Sequence, residues 1–146
     1  MLCYKHVLLA TDLSEETNVL AETAASVAKH SGAKLSIVHV MEHVPVVYGS
    51  GEFSIPLDMN LEDQLSKNAR RVLTVIANRV GVADEDLYIA HGSLKKEIIE
   101  LASQLEADLI VVGSHRHSGI EFLLGATANA ILHTGKCDIL AVRINP

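Results

Sequence analysis

Five short apolar runs, rich in β-branched residues, alternate along the chain with longer segments of helical periodicity. Three of the runs, at residues 7–10, 109–112 and 139–142, are continuously apolar, which is typical of parallel strands covered by helices on both faces. Because neighbouring parallel strands need a helical crossover, the pattern predicts an α/β fold, a doubly wound open parallel sheet with helices on both faces. The predicted strands are residues 5–11, 35–41, 87–91, 109–113 and 139–144.

The chain has the size of one domain, which we expect to span residues 1–146. Its longest apolar runs are far too short to cross a bilayer, and Thr11 and Asp12 interrupt the first of them before a secretory segment can form. We therefore expect no membrane association and a cytoplasmic location.

Charge and cysteine content exclude two further classes of protein. The formal net charge is −6, the 12 Lys and Arg residues are scattered, and tryptophan is absent, so nucleic acid is not an expected partner. Cys3 and Cys137 are too few for a disulfide framework. Each precedes a predicted buried strand, where we expect an inert thiol packed as a small hydrophobic group.

Apolar periodicity places four helices between the strands. We expect Ser14 to be the N-cap of the first helix and Gly32 its exit, the second helix to span about residues 61–80, Ser93 to cap the third, and the fourth to span about residues 125–133. The inward positions are predicted as Leu20, Ala24, Val27 and Ala28 in the first helix; Leu61, Leu65, Val72, Ile76 and Val80 in the second; Leu94, Ile98, Leu101 and Leu105 in the third; and Leu124, Ala128 and Ile131 in the fourth. Lys67, Arg70 and Arg71 are expected to face water.

Two connections are longer than packing requires. Residues 42–60 form a long predicted loop, which is either functional or a surface excursion without a role. Residues 114–124 form the second.

The ends of the first and fourth strands carry the strongest candidate site. Open parallel sheets bind ligands outside the carboxyl ends of their strands, where the strand order reverses. Thr11 and Asp12 end the first strand, and the Asp12 carboxylate either meets hydroxyl or amino groups of a ligand or shapes the turn. Gly113 opens a glycine-containing segment that leads to a helix start near Gly125, which is either a phosphate cradle or bare turn geometry.

Other candidate motifs lack the neighbouring residues or the position in the fold that their functions require. The Gly135-Lys136 pair joins a helix to a strand and lacks the first glycine of a Walker loop, and no Gly-x-Ser-x-Gly nucleophile turn occurs. Gly49 and Gly51 lack the third glycine of a dinucleotide-binding fingerprint. His115 and His117 either hold a metal with His39 or His91 or make ordinary hydrogen bonds and contacts to an anion; we expect no metal site.

Taken together, six segments make the sequence recognisable. They are KHVLLATDLS at residues 5–14, LSIVHV at 35–40, GSxxxxI at 92–98, ADLIVVGSH at 107–115, LLG at 123–125 and CDILAVR at 137–143. In this order they resemble the universal stress protein family over essentially the whole chain.

The resemblance implies a strand order of 3-2-1-4-5, which would put Asp12 and Gly113 on adjacent strands at the switch point. It also implies a homodimer formed by pairing the fifth strands, through Ile139, Leu140, Ala141, Val142 and Arg143. Cys3 and Cys137 would then be separated by the fourth strand, beyond disulfide reach.

Some members of the family bind ATP through Gly-x-x-Gly, nine residues, and then Gly followed by Ser or Thr. Here Arg116 stands at the second glycine, the spacing to Gly125 is eight residues, Ala126 replaces the hydroxyl residue, and Thr127 comes one position late. The Arg116 side chain would either block the approach to phosphates or bind them. The pattern GSHRHS at residues 113–118 resembles the A-type branch of the family, whose members generally lack tight ATP binding. The nucleotide-binding set that the resemblance implies is Ala10, Thr11, Asp12, Val40, Gly113, Ser114, His115, Arg116, Gly125, Ala126 and Thr127.

Three functions remain open at this stage. The first is a non-catalytic, homodimeric stress-response protein that acts through protein partners or a weakly held nucleotide, with ATP or another adenine nucleotide as the candidate and no firmly required cofactor. The second is an ATP-binding universal stress protein whose occupancy acts as a switch. The third, a nucleotidyl-transfer enzyme on a related fold, would need a metal and an acid, base or charge clamp beyond Asp12, and the sequence offers no such set. We favour the first, with no catalytic residue assigned.

Overall fold

The computed structural model describes residues 3–13, 17–41, 59–114 and 137–143. The elements of these ranges are β1 (His6–Thr11), α1 (Thr17–Ser31), β2 (Lys34–Met41), α2 (Met59–Val80), a short 3-10 turn (Asp84–Asp86), β3 (Leu87–His91), α3 (Leu94–Leu105), β4 (Leu109–Ser114) and β5 (Asp138–Arg143). Every predicted strand is confirmed to within one residue at each end. The predicted cap at Ser14 and the predicted fourth helix lie outside the described residues.

The strands form one parallel sheet in the order β3-β2-β1-β4-β5. The doubly wound arrangement predicted from the sequence is therefore confirmed. β1 lies at the centre, between β2 and β4, and the chain reverses its direction of travel across the sheet there. This is the switch point at which open α/β sheets bind their ligands.

Two apolar layers cover the sheet, and alternate side chains of each strand enter opposite layers. Val7 and Leu9 of β1 belong to the layer beneath α1 and α2, whereas Leu8 and Ala10 belong to the layer beneath α3. Each fully buried leucine or valine contributes about 1.5–3 kcal/mol of burial free energy, so the central strands anchor the domain.

The core positions predicted for α1 are confirmed in part, since Leu20, Ala24 and Ala28 are buried whereas Val27 is half-buried. The helix ends at Gly32, as predicted. Gly32 has a φ of +67°, and the Ala33 backbone N–H donates to the Ala28 carbonyl at 2.7 Å. This bond closes the last turn and turns the chain into β2.

The apolar stripe predicted for α2 is partly wrong. Leu65 is 49% exposed and Val72 is 37% exposed, whereas Leu73 and Ala77 are fully buried. Apolar residues occur on several faces of this helix, so spacing alone allowed more than one stripe, and packing on the sheet selected the face that includes Leu73. The helix also begins at Met59, which shortens the predicted 42–60 loop, and residues 42–58 lie outside the described ranges.

Two expectations about burial were wrong. The exposed position of Cys3 contradicts its predicted role as a packed thiol, because β1 begins only at His6. The continuously apolar β5 is not enclosed on both faces: its side chains are half-buried or exposed, because it is the edge strand of the sheet.

The third helix follows Ser93 as predicted, but the Ser93 side chain makes no capping hydrogen bond. Ile98 of α3 is fully buried against the sheet, and Leu94, Leu101 and Leu105 of the same helix pack around this layer. Among the described residues, no helix is long enough and apolar enough to cross a membrane.

Candidate functional site

The two central strands separate at their carboxyl ends. The ladder between β1 and β4 ends at the pair Leu9 and Val111. On the other side of β1 the ladder with β2 continues to Thr11 and His39, and on the other side of β4 the ladder with β5 continues to Ser114 and Arg143. The two halves of the sheet therefore part above Leu9, and the opening lies at the switch point. We call this opening the crevice.

Backbone alternation determines which polar groups face the crevice. The Lys5 carbonyl, directly before β1, accepts from the N–H of Lys34 at the start of β2, whereas the His6 carbonyl accepts from the N–H of Asp108 before β4. Successive residues of a strand face opposite neighbours, so Ala10 faces β4. Directly before β4, the Asp108 carbonyl accepts from the N–H of Asp138 on the β5 side, so alternation turns the Gly113 backbone towards β1. Beyond the last pair of the ladder, these groups face the crevice instead of each other.

The turn that follows β1 is held by the Thr11 side chain. Its hydroxyl lies 2.8 Å from the Thr17 hydroxyl and accepts the Leu13 backbone N–H at 3.0 Å, and both threonines are buried. Leu13 has a φ of +62°, a left-handed conformation that costs a leucine about 1–2 kcal/mol. The Thr11 contacts thus hold a strained turn beside the crevice, with Asp12 half-buried between Thr11 and Leu13.

The site residues predicted from the sequence divide into two groups. Ala10, Thr11 and Val40 are at most 6% exposed, so their side chains are closed to a ligand, and Asp12 is the more accessible neighbour. Gly113 and Ser114 end β4 opposite them. The remaining predicted residues, His115, Arg116, Gly125, Ala126 and Thr127, lie outside the described residues.

Sequence reasoning missed two residues that shape this region. Thr17, the first residue of α1, bonds to Thr11 as described above. His39 had been considered only as a metal ligand, but its ring Nδ1 lies 2.9 Å from the Thr11 carbonyl oxygen. No local sequence pattern predicts either contact, because both depend on which strands and helices lie side by side.

The metal hypothesis gains no support from the residues that the structure describes. Among them, no group of three or more His, Cys, Asp or Glu side chains is arranged to hold an ion. His115 and His117 lie outside this part of the chain.

A second concave surface lies at the opposite edge of the sheet. This basal cleft has a volume of about 760 Å³ and is formed by the ends of α1 and α2 and the start of β2. Lys29 and Arg79 contribute to its rim. It is a separate surface from the crevice.

Comparison with known proteins gives consistent matches. Residues 3–143 match the profile described as the universal stress protein family. The chain is 50% identical over 139 residues to universal stress protein A homolog 1 of Coxiella burnetii, covering 95% of this chain and 96% of that protein.

Solved structures with similar folds are more distant in sequence. A universal stress protein in complex with cAMP has a TM-score of 0.61 and 24% identity, covering 97% of this chain and 98% of that one. The universal stress protein UspA from Lactobacillus plantarum has a TM-score of 0.67 and 23% identity, covering 98% and 100% of the two chains. These structures share the fold of this chain.

Proposed function

The chain belongs to the universal stress protein family, and from that premise we propose that it is a non-catalytic stress-response protein whose crevice weakly holds an adenine nucleotide. We further propose that it is a homodimer, acts through protein partners and resides in the cytoplasm. The proposal on nucleotide binding is carried by one observation: the β1–β4 ladder ends at Leu9 and Val111 while both flanking ladders continue.

An adenine nucleotide suits the groups around this opening. The backbone of Ala10 and Gly113 offers hydrogen-bonding groups, and the partly accessible Asp12 carboxylate accepts from hydroxyl or amino groups. Glycine at position 113 leaves the β4 backbone open to close approach. The cAMP complex of a protein with the same fold supports this ligand class.

Weak rather than tight binding is the better expectation. Arg116 and Ala126 depart from the glycine and hydroxyl positions of the family's ATP motif, which removes contacts to a triphosphate. A nucleotide with one phosphate depends less on those contacts. We therefore expect cAMP to bind at least as well as ATP.

Calorimetric titration of ligand-free protein with cAMP, and separately with magnesium-ATP, tests this proposal. We expect a Kd of about 0.1–1 mM for cAMP, which is equivalent to about 4–5.5 kcal/mol. Gly113→Val should abolish binding, because a branched side chain would occupy the wall of the crevice. Ala83→Val, at an exposed position outside the sheet, is the matched control and should bind as the wild type does.

The outcomes separate the candidates. Undetectable binding of both nucleotides would overturn the nucleotide proposal. Micromolar affinity for magnesium-ATP would instead favour the second candidate, an ATP-dependent switch. For the non-catalytic part, incubation with several nucleotides and magnesium or manganese should yield no product, and steady turnover would refute it.

The homodimer proposal is supported by the apolar edge strand β5. Asp138 donates its backbone N–H to the Asp108 carbonyl, so by alternation Leu140 and Val142 also face β4, and Ala141 faces away from the sheet. A second copy pairing with this edge would use the Ala141 N–H and cover the half-buried apolar side chains.

Proline at position 141 gives a sharp test of this edge. Ala141→Pro removes an outward N–H and leaves the inward bonds to β4 intact, which edge strands tolerate. Sedimentation equilibrium should show a dimer for the wild type and for Ala141→Thr, and a folded monomer for Ala141→Pro. A dimer that persists in the proline variant would rule out pairing through β5.

A further inference from the structure

The Thr11 carbonyl is held on the β2 side of β1 by a side chain. His39 Nδ1 lies 2.9 Å from the Thr11 oxygen, and these two residues also form the last pair of the β1–β2 ladder. A carbonyl oxygen can only accept, so Nδ1 carries the proton and donates it. The contact thereby fixes the tautomer of the neutral ring as the Nδ1–H form.

Thr11 lies at the point where β1 separates from β4. One pair beyond Leu9 and Val111, the next rung would join Ala10 to Val112, and the ladder does not continue to it. The end of β1 is instead attached to β2 by His39, which contacts the backbone of Thr11, and to α1 over the face of the sheet by Thr17, which contacts the Thr11 hydroxyl. The His39 contact therefore holds the end of β1 on the side away from β4.

We propose that His39 is a positioning residue of the crevice: its Nδ1–H holds the end of β1 on β2 and so keeps the crevice open towards β4. Only the test that uses a ligand rests on the proposed function, because the other test measures the crevice without a ligand. His39 acts through Thr11 and need not touch the ligand.

Two substitutions separate the donor from the bulk of the ring. Asparagine carries an amide N–H close to the position of Nδ1, so His39→Asn preserves the bond, whereas His39→Leu removes it. His30 supplies a matched control, because its Nδ1 contacts the Ser26 carbonyl at 2.7 Å on the exposed end of α1. His30→Leu therefore loses the same kind of bond far from the crevice.

The first measurement needs no ligand. In amide NMR spectra, His39→Leu should shift the signals of Leu13, Val112 and Gly113, His39→Asn should return them close to the wild-type positions, and His30→Leu should leave them unchanged. In the wild type, long-range imidazole nitrogen spectra should show the Nδ1–H tautomer for His39. Unchanged crevice signals in His39→Leu, or an Nε2–H tautomer in the wild type, would overturn the proposal. An Nε2–H tautomer would overturn the proposal even if His39→Leu does not fold, and the crevice signals of His39→Asn remain a test of the donor.

The second measurement uses cAMP as the probe. His39→Leu should weaken its binding about fivefold or more, the effect of losing one hydrogen bond, and His39→Asn should stay within about twofold of the wild type. Equal weakening in both variants would contradict a role for the Nδ1 donor. If the wild type binds no cAMP, the nucleotide proposal fails, while the crevice signals and the tautomer still decide the role of His39.

Discussion

The Asp108 carboxylate accepts the backbone N–H of His6 at 3.0 Å, joining residues that are 102 positions apart in the sequence. The same carboxylate accepts the Lys5 N–H at 2.9 Å. Because β1 and β4 share only a short ladder before they part at the crevice, this contact fixes their relative position at the other end.

We predict that Asp108→Ala destabilises the fold by about 1–2 kcal/mol, because hydrogen bonds to a charged acceptor are lost. Urea unfolding should show a lower midpoint with an unchanged slope, and Asp108→Asn should fall between the alanine variant and the wild type. Glu100→Ala, at an exposed position on α3, is the control. An unchanged midpoint for Asp108→Ala would show that this contact contributes nothing.

Gly92, between β3 and α3, cannot carry a side chain without strain. Its φ is +137°, and an added Cβ would lie 2.9 Å from the Glu97 carboxylate oxygen. We predict that Gly92→Ala costs about 1–3 kcal/mol and that adding Glu97→Ala recovers only part of the loss, because the backbone strain remains. Gly81→Ala is the comparison, since its φ of +76° is unfavourable but nothing lies within 4 Å. A larger loss of thermal stability in Gly81→Ala than in Gly92→Ala would contradict this explanation of Gly92.

Glu106 ends α3 in a left-handed conformation with a φ of +55°, where glycine is favoured. We predict that Glu106→Gly changes the free energy of unfolding by about 0 to +1 kcal/mol, because relief of strain slightly exceeds the added entropy of the unfolded chain. Glu100→Gly, within the same helix, should instead destabilise by about 1 kcal/mol. Chemical denaturation of both variants checks the sign; equal destabilisation would contradict this prediction.

The two thiols should differ in reactivity. Burial, followed by the nearby Asp108 and Asp138 carboxylates, raises the pKa of Cys137 to about 11, whereas Cys3 is exposed. At pH 8 only about one Cys137 thiol in a thousand is ionised, so we predict one fast and one slow thiol with a disulfide reagent. Cys3→Ser should remove the fast phase. Two equal rates in the wild type would be inconsistent with burial of Cys137.

The same pKa shift has a consequence for stability. The thiol of the unfolded chain loses its proton at lower pH than the thiol of the folded chain, so the folded state binds more protons between about pH 9 and 11. The contribution of Cys137 to stability is therefore present below this range and declines as the pH rises through it. In Cys137→Ser, the free energy of unfolding should decline less with pH over this range than it does in the wild type.

The positions of the strands could be predicted because apolar runs carry their own signal, and the burial of β1 and β4 follows it closely, whereas β5 is an edge strand and is only partly covered. The strand order came from the family resemblance rather than from any local pattern. The stripe of α2 was misassigned at Leu65 and Val72, because a helix with apolar residues on several faces has no unique inward side until it meets the sheet.

The position of the crevice was predictable from Thr11, Asp12 and Gly113, since the ends of parallel strands meet at one edge. The contacts that shape it were not. The bond from His39 to Thr11 depends on the register of β1 against β2, and the bond from Thr17 depends on where α1 begins over the sheet. Local sequence encodes neither relationship.

The binding of an adenine nucleotide in the crevice is tested most directly by amide NMR during a titration with cAMP. We predict saturable shifts that are largest at residues 10–13 and 112–114, with the basal cleft around Lys29 and Arg79 unaffected. Saturable shifts at the basal cleft with the crevice signals unmoved, or no saturable shift anywhere, would contradict it.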